Sequence, residues 1–281
     1  MNALFFGTSE FALPSLDVVA DAASLRGVVT QPDRPAGRGM RLTPTPVKRA
    51  ALERGLRVYE PANLRSFARE IGALDFDAFV VASYGRILPA ELLAIPELGT
   101  LNVHPSLLPR FRGATPIQAA LLAGDTRTGA TIMLADERMD TGDIVLQEEL
   151  SIGACECFGS LHDRLAALGA TLLGTSFSLA GRDGAFPRRP QEGDASTTRP
   201  IEKADLLVDW SWPAERIVNA VRAYSPQPAA RARIGDVTVK LLRAHVADDG
   251  AIVVDELVAP NHRVESGAEF ARRTGGTMID P

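Results

Sequence analysis

The sequence predicts an α/β protein, a doubly wound and mainly parallel sheet followed by a smaller β-rich unit. Three observations lead there. Through the first half of the chain, short apolar runs alternate with segments of helical spacing, the pattern of βαβ units. One of those runs, Ala78-Phe79-Val80-Val81-Ala82, is apolar at every position, as a strand covered on both faces must be. From Gly181 to Lys203 the chain turns to glycine, proline and charge, and short β-like runs follow. A length of 281 residues suits two domains at roughly 150 residues each.

The elements follow in order. Ala3–Phe6 is an apolar run closed by Gly7. Phe11–Ala23 has Leu13, Leu16 and Val19 at helical spacing, with Ser9 as its expected cap. Gly27–Thr30 is a second strand, Pro46–Arg54 a helix, and Arg57–Glu60 a third strand. Asp77–Ser83 and Thr100–His104 continue the sheet. Ala114–Ala123 reads as a helix, and Gly129–Leu134 and Asp143–Glu149 as two further strands. In the long helix from Gly159 to about Ala180, Leu161, Leu165, Leu168, Leu172 and Leu173 form one stripe, the signature of core packing. Pro213 opens a helix with Ile217, Val218 and Val221 on one face. Ala230–Ile234, Val237–Arg243 and Ala251–Val258 are β-like, and Gly235-Asp236 suggests a tight hairpin between the first two. The expected division is residues 1–182, a linker at 183–203, and residues 204–281.

Composition excludes several classes. Hydrophobic residues make up 46% and charged residues 23%, an ordinary globular mix. No apolar run approaches the roughly 18 residues of a membrane span, and the N-terminus lacks the basic and apolar regions of a signal peptide. Cys155 and Cys157 rule out a disulfide framework. With His162 they give at most three metal ligands, so no metal site is expected and two free thiols in a reducing cytoplasm fit best. The net charge is −5, yet charge is uneven. Between Gln31 and Ala50, Arg34, Arg38, Arg41, Lys48 and Arg49 face only Asp33. Between Arg222 and Arg243, Arg222, Arg231, Arg233, Lys240 and Arg243 face only Asp236. Two basic surfaces on an acidic protein allow a polyanionic partner, although on charge alone ordinary solvated loops are the commoner account.

The densest chemistry lies in Leu101-Asn102-Val103-His104-Pro105-Ser106. Two residues apart on a strand, Asn102 and His104 share one face. They fall at the carboxyl end of that strand, where open α/β sheets bind ligands. A second polar cluster, Asp136-Glu137-Arg138-Met139-Asp140-Thr141-Gly142-Asp143, also follows an apolar strand. Either Asp140 or Asp143 can be drawn back to His104, and plain turn chemistry accounts for the cluster as well. No Gly-x-Gly-x-x-Gly follows the first strand, which argues against a dinucleotide cofactor. Asn, His and Asp without a serine or cysteine nucleophile suggest direct group transfer, with polar donors on a developing oxyanion.

Four segments carry a resemblance: Phe6-Gly7-Thr8-Ser9-Glu10-Phe11-Ala12, the loop Thr30-Gln31-Pro32-Asp33-Arg34-Pro35-Ala36-Gly37-Arg38-Gly39, the run from Asn102 through Pro109 to Gly113, and Met139-Asp140-Thr141-Gly142-Asp143. The sequence resembles the folate-dependent formyltransferases. The arginine loop, with Asp209-Trp210-Ser211-Trp212-Pro213 further on, narrows the resemblance to the methionyl-tRNA formyltransferase family.

That resemblance implies a doubly wound N-terminal domain and a C-terminal β-barrel similar to an OB-fold. It implies formyl transfer from 10-formyltetrahydrofolate, a co-substrate, to the amino group of methionyl initiator tRNA. By position, Asn102, His104 and Asp140 match the catalytic trio. Arg86, Ile87 and Leu88, with Ser106, Leu107, Leu108 and Pro109, match the folate-binding segments. Arg38 matches the arginine that grips the acceptor stem, flanked by Arg34 and Arg41. Met40 and Arg138 stand where lysine and glycine are common. A cytoplasmic monomer is expected, without metal or membrane. The rival readings are an amino-sugar N-formyltransferase using the same donor and a catalytically idle tRNA-binding module.

Overall fold

The computed structural model describes residues 1–36 and 41–274. In chain order the first half comprises β1 (Asn2–Gly7), α1 (Leu13–Ala22), β2 (Ser24–Val29), β3 (Arg34–Ala36), β4 (Arg41–Thr43), α2 (Pro46–Glu53), β5 (Val58–Tyr59), α3 (Leu64–Ile71), β6 (Ala78–Ala82), α4 (Ala90–Leu93) and β7 (Thr100–His104). There follow β8 (Arg112–Gly113), α5 (Pro116–Leu122), β9 (Arg127–Leu134), β10 (Ile144–Ser151), α6 (Phe158–Asp183), β11 (Thr197–Thr198), α7 (Ala214–Tyr224), β12 (Ala230–Ile234), β13 (Val237–Val246), β14 (Ile252–Val258), β15 (Val264–Ser266) and α8 (Gly267–Thr274).

The chain forms two compact units, 1–113 with 129–150 and 163–197, and 114–128 with 151–162 and 198–281. The first unit is built on a seven-stranded sheet of order β10-β9-β7-β6-β1-β2-β5. β5, β2, β1, β6 and β7 run parallel, and β9 joins β7 antiparallel. The strand order reverses away from β1, as the alternating pattern predicts for a doubly wound fold. Ala78, Phe79, Val80 and Ala82 are fully buried, which explains the uninterrupted apolar run in β6. Phe6 packs edge-on against Tyr84, with ring centroids 5.5 Å apart, and 5.4 Å from Phe79, inside a core that also holds Leu4, Phe67 and Leu92.

α6 buries Leu161, Leu165, Leu172 and Leu173 of the expected stripe. Gly169 lets this helix close on β7, because a Cβ there would come within 2.5 Å of Val103. The result seats β7, with Asn102 and His104, between β6 and β9.

Some elements depart from expectation. α3 and the β3–β4 hairpin are additional. Leu64, Phe67, Ala68 and Ile71 of α3 are buried, and Asn63 caps it by accepting from Ser66 N–H at 3.0 Å. Ser9 makes no cap hydrogen bond. Its hydroxyl donates to Ser83 at 2.6 Å, and a 3-10 turn at Glu10–Ala12 precedes α1.

The second unit carries an antiparallel four-stranded sheet, β12-β13-β14-β15. The Gly235-Asp236 turn joins Ile234 to Val237, with Gly235 at φ 58°. α7 buries Ile217, Ala220, Val221 and Tyr224 and packs on β13 and on α5. Arg222 donates to the carbonyls of Glu156 at 2.8 Å and Gly153 at 3.1 Å. These contacts draw 114–128 and 151–162, expected with the N-terminal strands, into the second unit.

The expected linker is divided between the units, and its first part is tied down. Arg189 exchanges backbone hydrogen bonds with Ile144 at 2.8 and 2.9 Å. The Ser196 carbonyl accepts from Arg112 N–H at 2.8 Å, and its hydroxyl accepts from Phe111 N–H at 2.8 Å.

Candidate active site

Three loops leave the carboxyl ends of the adjacent parallel strands β1, β6 and β7. After β6, the Tyr84 carbonyl accepts from the Thr8 hydroxyl at 3.0 Å and the Gln31 amide at 3.1 Å, which fixes the path of 84–88. Within that strip Leu88 is buried in the core, while Ile87 is 63% exposed. The Arg86 guanidinium donates to the carbonyls of Pro61 and Ala62 at 3.0 and 3.3 Å.

After β7, residues 106–109 are held by one buried hydroxyl. Thr131 sits opposite His104 in the β7–β9 register. Its Oγ1 donates to the Ser106 carbonyl at 2.6 Å and accepts from Leu108 N–H at 3.4 Å and the Gln147 amide at 2.8 Å. Gln147 also donates to the Leu108 carbonyl at 3.0 Å. The hydroxyl thereby uses its one donor and both lone pairs. Neither Thr131 nor Gln147 is among the expected site residues. The legible signal is a lone hydroxyl inside the otherwise apolar Ala130-Thr131-Ile132.

Asn102 and His104 point to one face of β7, as their spacing requires, and Asp140 meets them. Asn102 Nδ2 donates to Asp140 Oδ1 at 3.2 Å, Gly113 N–H donates to Oδ2 at 2.7 Å, and His104 Nδ1 lies 3.7 Å from Oδ2. A carboxylate only accepts, so the Asn102 amide must present Nδ2, and its second N–H remains for another acceptor. Asp136, by contrast, does turn chemistry, accepting from Arg138 N–H at 3.0 Å and from the Thr141 hydroxyl at 2.9 and 2.8 Å. Of Asp140 and Asp143, it is Asp140 that reaches the histidine.

His104 Nε2 lies 3.0 Å from the Phe111 carbonyl, which can only accept. The neutral ring therefore carries its proton on Nε2 and its lone pair on Nδ1, toward Asp140. Burial holds the His104 pKa below the ordinary histidine value. The nearby Asp140 charge and the Phe111 hydrogen bond oppose that shift without overcoming it. The resting imidazole is thus neutral at pH 7, with a free base beside a carboxylate.

The backbone geometry needs Gly142. A Cβ there would stand 1.7 Å from the Leu134 carbonyl oxygen, so the 140–142 segment crosses β9 in direct backbone contact. Asp140 itself adopts φ 55°, a region that non-glycine residues rarely occupy.

The arginine loop is described only in part. Arg34 is exposed on β3, and its guanidinium donates to the Gln31 side chain at 2.9 Å. Arg41 lies on β4. Arg38 and Met40 lie outside the described residues. Lys48, counted among the cations between Gln31 and Ala50, lies on α2 and is paired with Asp33 and Glu60, each at 2.8 Å. The hydrogen bond it donates to Asp33, then that to Glu60, raises its pKa.

Among the described residues, no group of three or more His, Cys, Asp or Glu could hold a metal ion, and no helix is long and apolar enough to cross a membrane.

Residues 1–176 match the formyl transferase family and residues 200–254 its C-terminal domain. The methionyl-tRNA formyltransferase of Chromobacterium violaceum is 45% identical over 264 residues, covering 90% of this chain and 84% of the relative. That of Methylibium petroleiphilum is 48% identical, covering 88% and 82%. The chain belongs to the methionyl-tRNA formyltransferase family. It is a formyl-transferring enzyme, as the family resemblance of its motifs implied.

Solved structures share the fold at much lower identity. A methionyl-tRNA formyltransferase from Clostridium thermocellum superposes with a TM-score of 0.61 at 15% identity, covering 92% of this chain and 99% of that one. An N-formyltransferase from Helicobacter canadensis, solved with folinic acid and dTDP-3-aminofucose, gives 0.69 at 17%, covering 88% of each chain. The fold therefore does not separate the tRNA members from the sugar members. Sequence identity does, and it favours the methionyl-tRNA formyltransferases.

Proposed function

We propose that this chain transfers the formyl group of 10-formyltetrahydrofolate to the amino group of methionyl initiator tRNA, with Asn102, His104 and Asp140 as its catalytic residues. The carrying observation is the convergence of the Asn102 amide and the His104 lone pair on one carboxylate at the carboxyl end of β7.

The chemistry follows from those atoms. The methionyl amine attacks the formyl carbon, a C–N bond forms, and the carbonyl pair moves onto oxygen. The second N–H of Asn102 donates to that oxyanion. His104 Nδ1 takes the proton released by the attacking nitrogen and becomes an imidazolium. Asp140 stabilises that cation, and its Nδ1–H can then also donate to the oxyanion. On collapse the bond to the folate N10 breaks and the same proton passes to N10. The products are the formylated amine and tetrahydrofolate.

In this reading the folate lies along Arg86, Ile87 and Leu88 and against Ser106, Leu107, Leu108 and Pro109. The exposed Ile87 offers its ring an apolar face. The first unit supplies the chemistry, and the second, which holds residues 204–281, binds tRNA. Arg34, Arg38 and Arg41 grip the acceptor stem. The enzyme works as a cytoplasmic monomer.

The test is formyl incorporation into charged initiator tRNA, beside a nucleotide-linked amino sugar as control. Transfer to the tRNA alone supports the assignment, and transfer to the sugar alone replaces it with the amino-sugar reading.

A further inference from the structure

The left-handed backbone at Asp140 has to be held, and one side chain outside the trio does so. Gln191 Nε2 donates to the carbonyl of Asp140 at 2.9 Å and to that of Gly142 at 2.8 Å. Its Oε1 accepts from Arg112 Nε at 3.1 Å and from Arg112 Nη2 at 2.7 Å. Both amide hydrogens and both oxygen lone pairs are therefore used.

The arrangement is specific to an amide. The two carbonyls demand a donor and the guanidinium demands an acceptor, so neither a carboxylate nor an amine satisfies both sides. Arg112 precedes Gly113, whose N–H donates to Asp140 Oδ2 at 2.7 Å. Phe111, on its other side, holds His104 Nε2. The Gln191 amide thus links the segment that anchors His104 to the segment that carries Asp140.

We infer that Gln191 is a positioning residue for the formyl transfer, with Arg112 as its support, acting by fixing the Asp140 carboxylate against Asn102 and His104. The inference rests on the assignment of Asp140 as catalytic. It makes the stretch after α6 part of the catalytic apparatus and not only a connection.

The experiment measures kcat and both KM values for Gln191→Leu, Asp140→Asn and the double variant, with thermal melting of each. Gln191→Leu should lower kcat by about 10- to 100-fold with little change in either KM, the scale expected for a catalytic group misplaced by about 1 Å. In the Asp140→Asn background the same change should cost less than about twofold, because residues acting as one unit are non-additive. Gln191→Glu keeps the size and the Arg112 pairing but sets oxygen against the two carbonyls. It should fall with Gln191→Leu and serves in its place if the leucine variant does not fold. An equal loss of kcat in both backgrounds would mean a merely structural role and overturn the inference. Normal kcat in both Gln191 variants beside a crippled Asp140→Asn would overturn it while leaving Asp140 catalytic. Normal kcat in Asp140→Asn would overturn both readings.

Discussion

His104 Nδ1 lies 3.7 Å from Oδ2 of Asp140, with the side chains only 5% and 14% exposed. Because Nε2 is committed to the Phe111 carbonyl, Nδ1 is the nitrogen left to exchange protons. A neutral histidine poised beside a carboxylate takes up a proton and is stabilised once charged. That relationship sets the first two expectations.

Replacing His104 with alanine removes both the base and the charged donor it becomes. The kcat should fall by about two to three orders of magnitude, as for loss of an oxyanion donor. Steady-state formylation kinetics, with circular dichroism to verify folding, tests this. Turnover near the parent's would remove His104 from the chemistry.

The pH profile follows from the direction of the His104 shift. Burial lowers its pKa, so the neutral base persists to below the ordinary value of about 6.5. The kcat profile should be flat above that value and fall only as pH drops through the lowered pKa. Asp140 raises the His104 pKa, so Asp140→Asn should displace the acid limb to still lower pH while reducing the plateau. An acid limb above 6.5, or one displaced upward in the variant, contradicts the assignment.

Gly142→Ala sets a methyl group 1.7 Å from the Leu134 carbonyl oxygen. The obstacle is backbone in β9, so the 140–142 segment must move. The cost should be about 1–3 kcal/mol, the usual range for overpacking. A matching drop in melting temperature should accompany a loss of kcat, because Asp140 travels with the segment. An alanine variant with parent stability and turnover would refute the close approach.

Arg38→Ala tests the arginine loop. Productive tRNA binding should weaken by about 1–3 kcal/mol, the range of a good specific contact. The salt slope should become shallower by about one unit if the contact is to phosphate. Folate affinity should not change, since its proposed segments are 86–88 and 106–109. Formylation kinetics at several salt concentrations, with folate binding measured apart, decides it. Unchanged tRNA kinetics would detach the loop from recognition.

Much of the site was legible because it depends on local spacing. Asn102 and His104 share a face because strand side chains alternate, and Ala78–Ala82 is apolar throughout because its strand is covered on both sides. Helix α3 carries Leu64, Phe67, Ala68 and Ile71 at helical spacing, yet it lies outside the expected elements. Its eight residues, set between a two-residue strand and the Gly72-Ala73-Leu74 turn, give periodicity little length in which to stand out.

By itself, then, the sequence determined the α/β class, the antiparallel C-terminal strands, the pairing of Asn102 with His104 on one face, and, through its motifs, the formyltransferase family. Each is written in neighbouring residues. Tertiary structure decided which aspartate meets His104, since spacing left Asp140 and Asp143 open in one polar cluster and only the return of the chain beside β7 distinguishes them. It also decided which nitrogen of His104 is free, through the Phe111 carbonyl. The roles of Thr131 and Gln191 come from the same source, because each side chain bonds backbone groups far from it in sequence. Such bonds follow from a register and a chain crossing that no local spacing encodes.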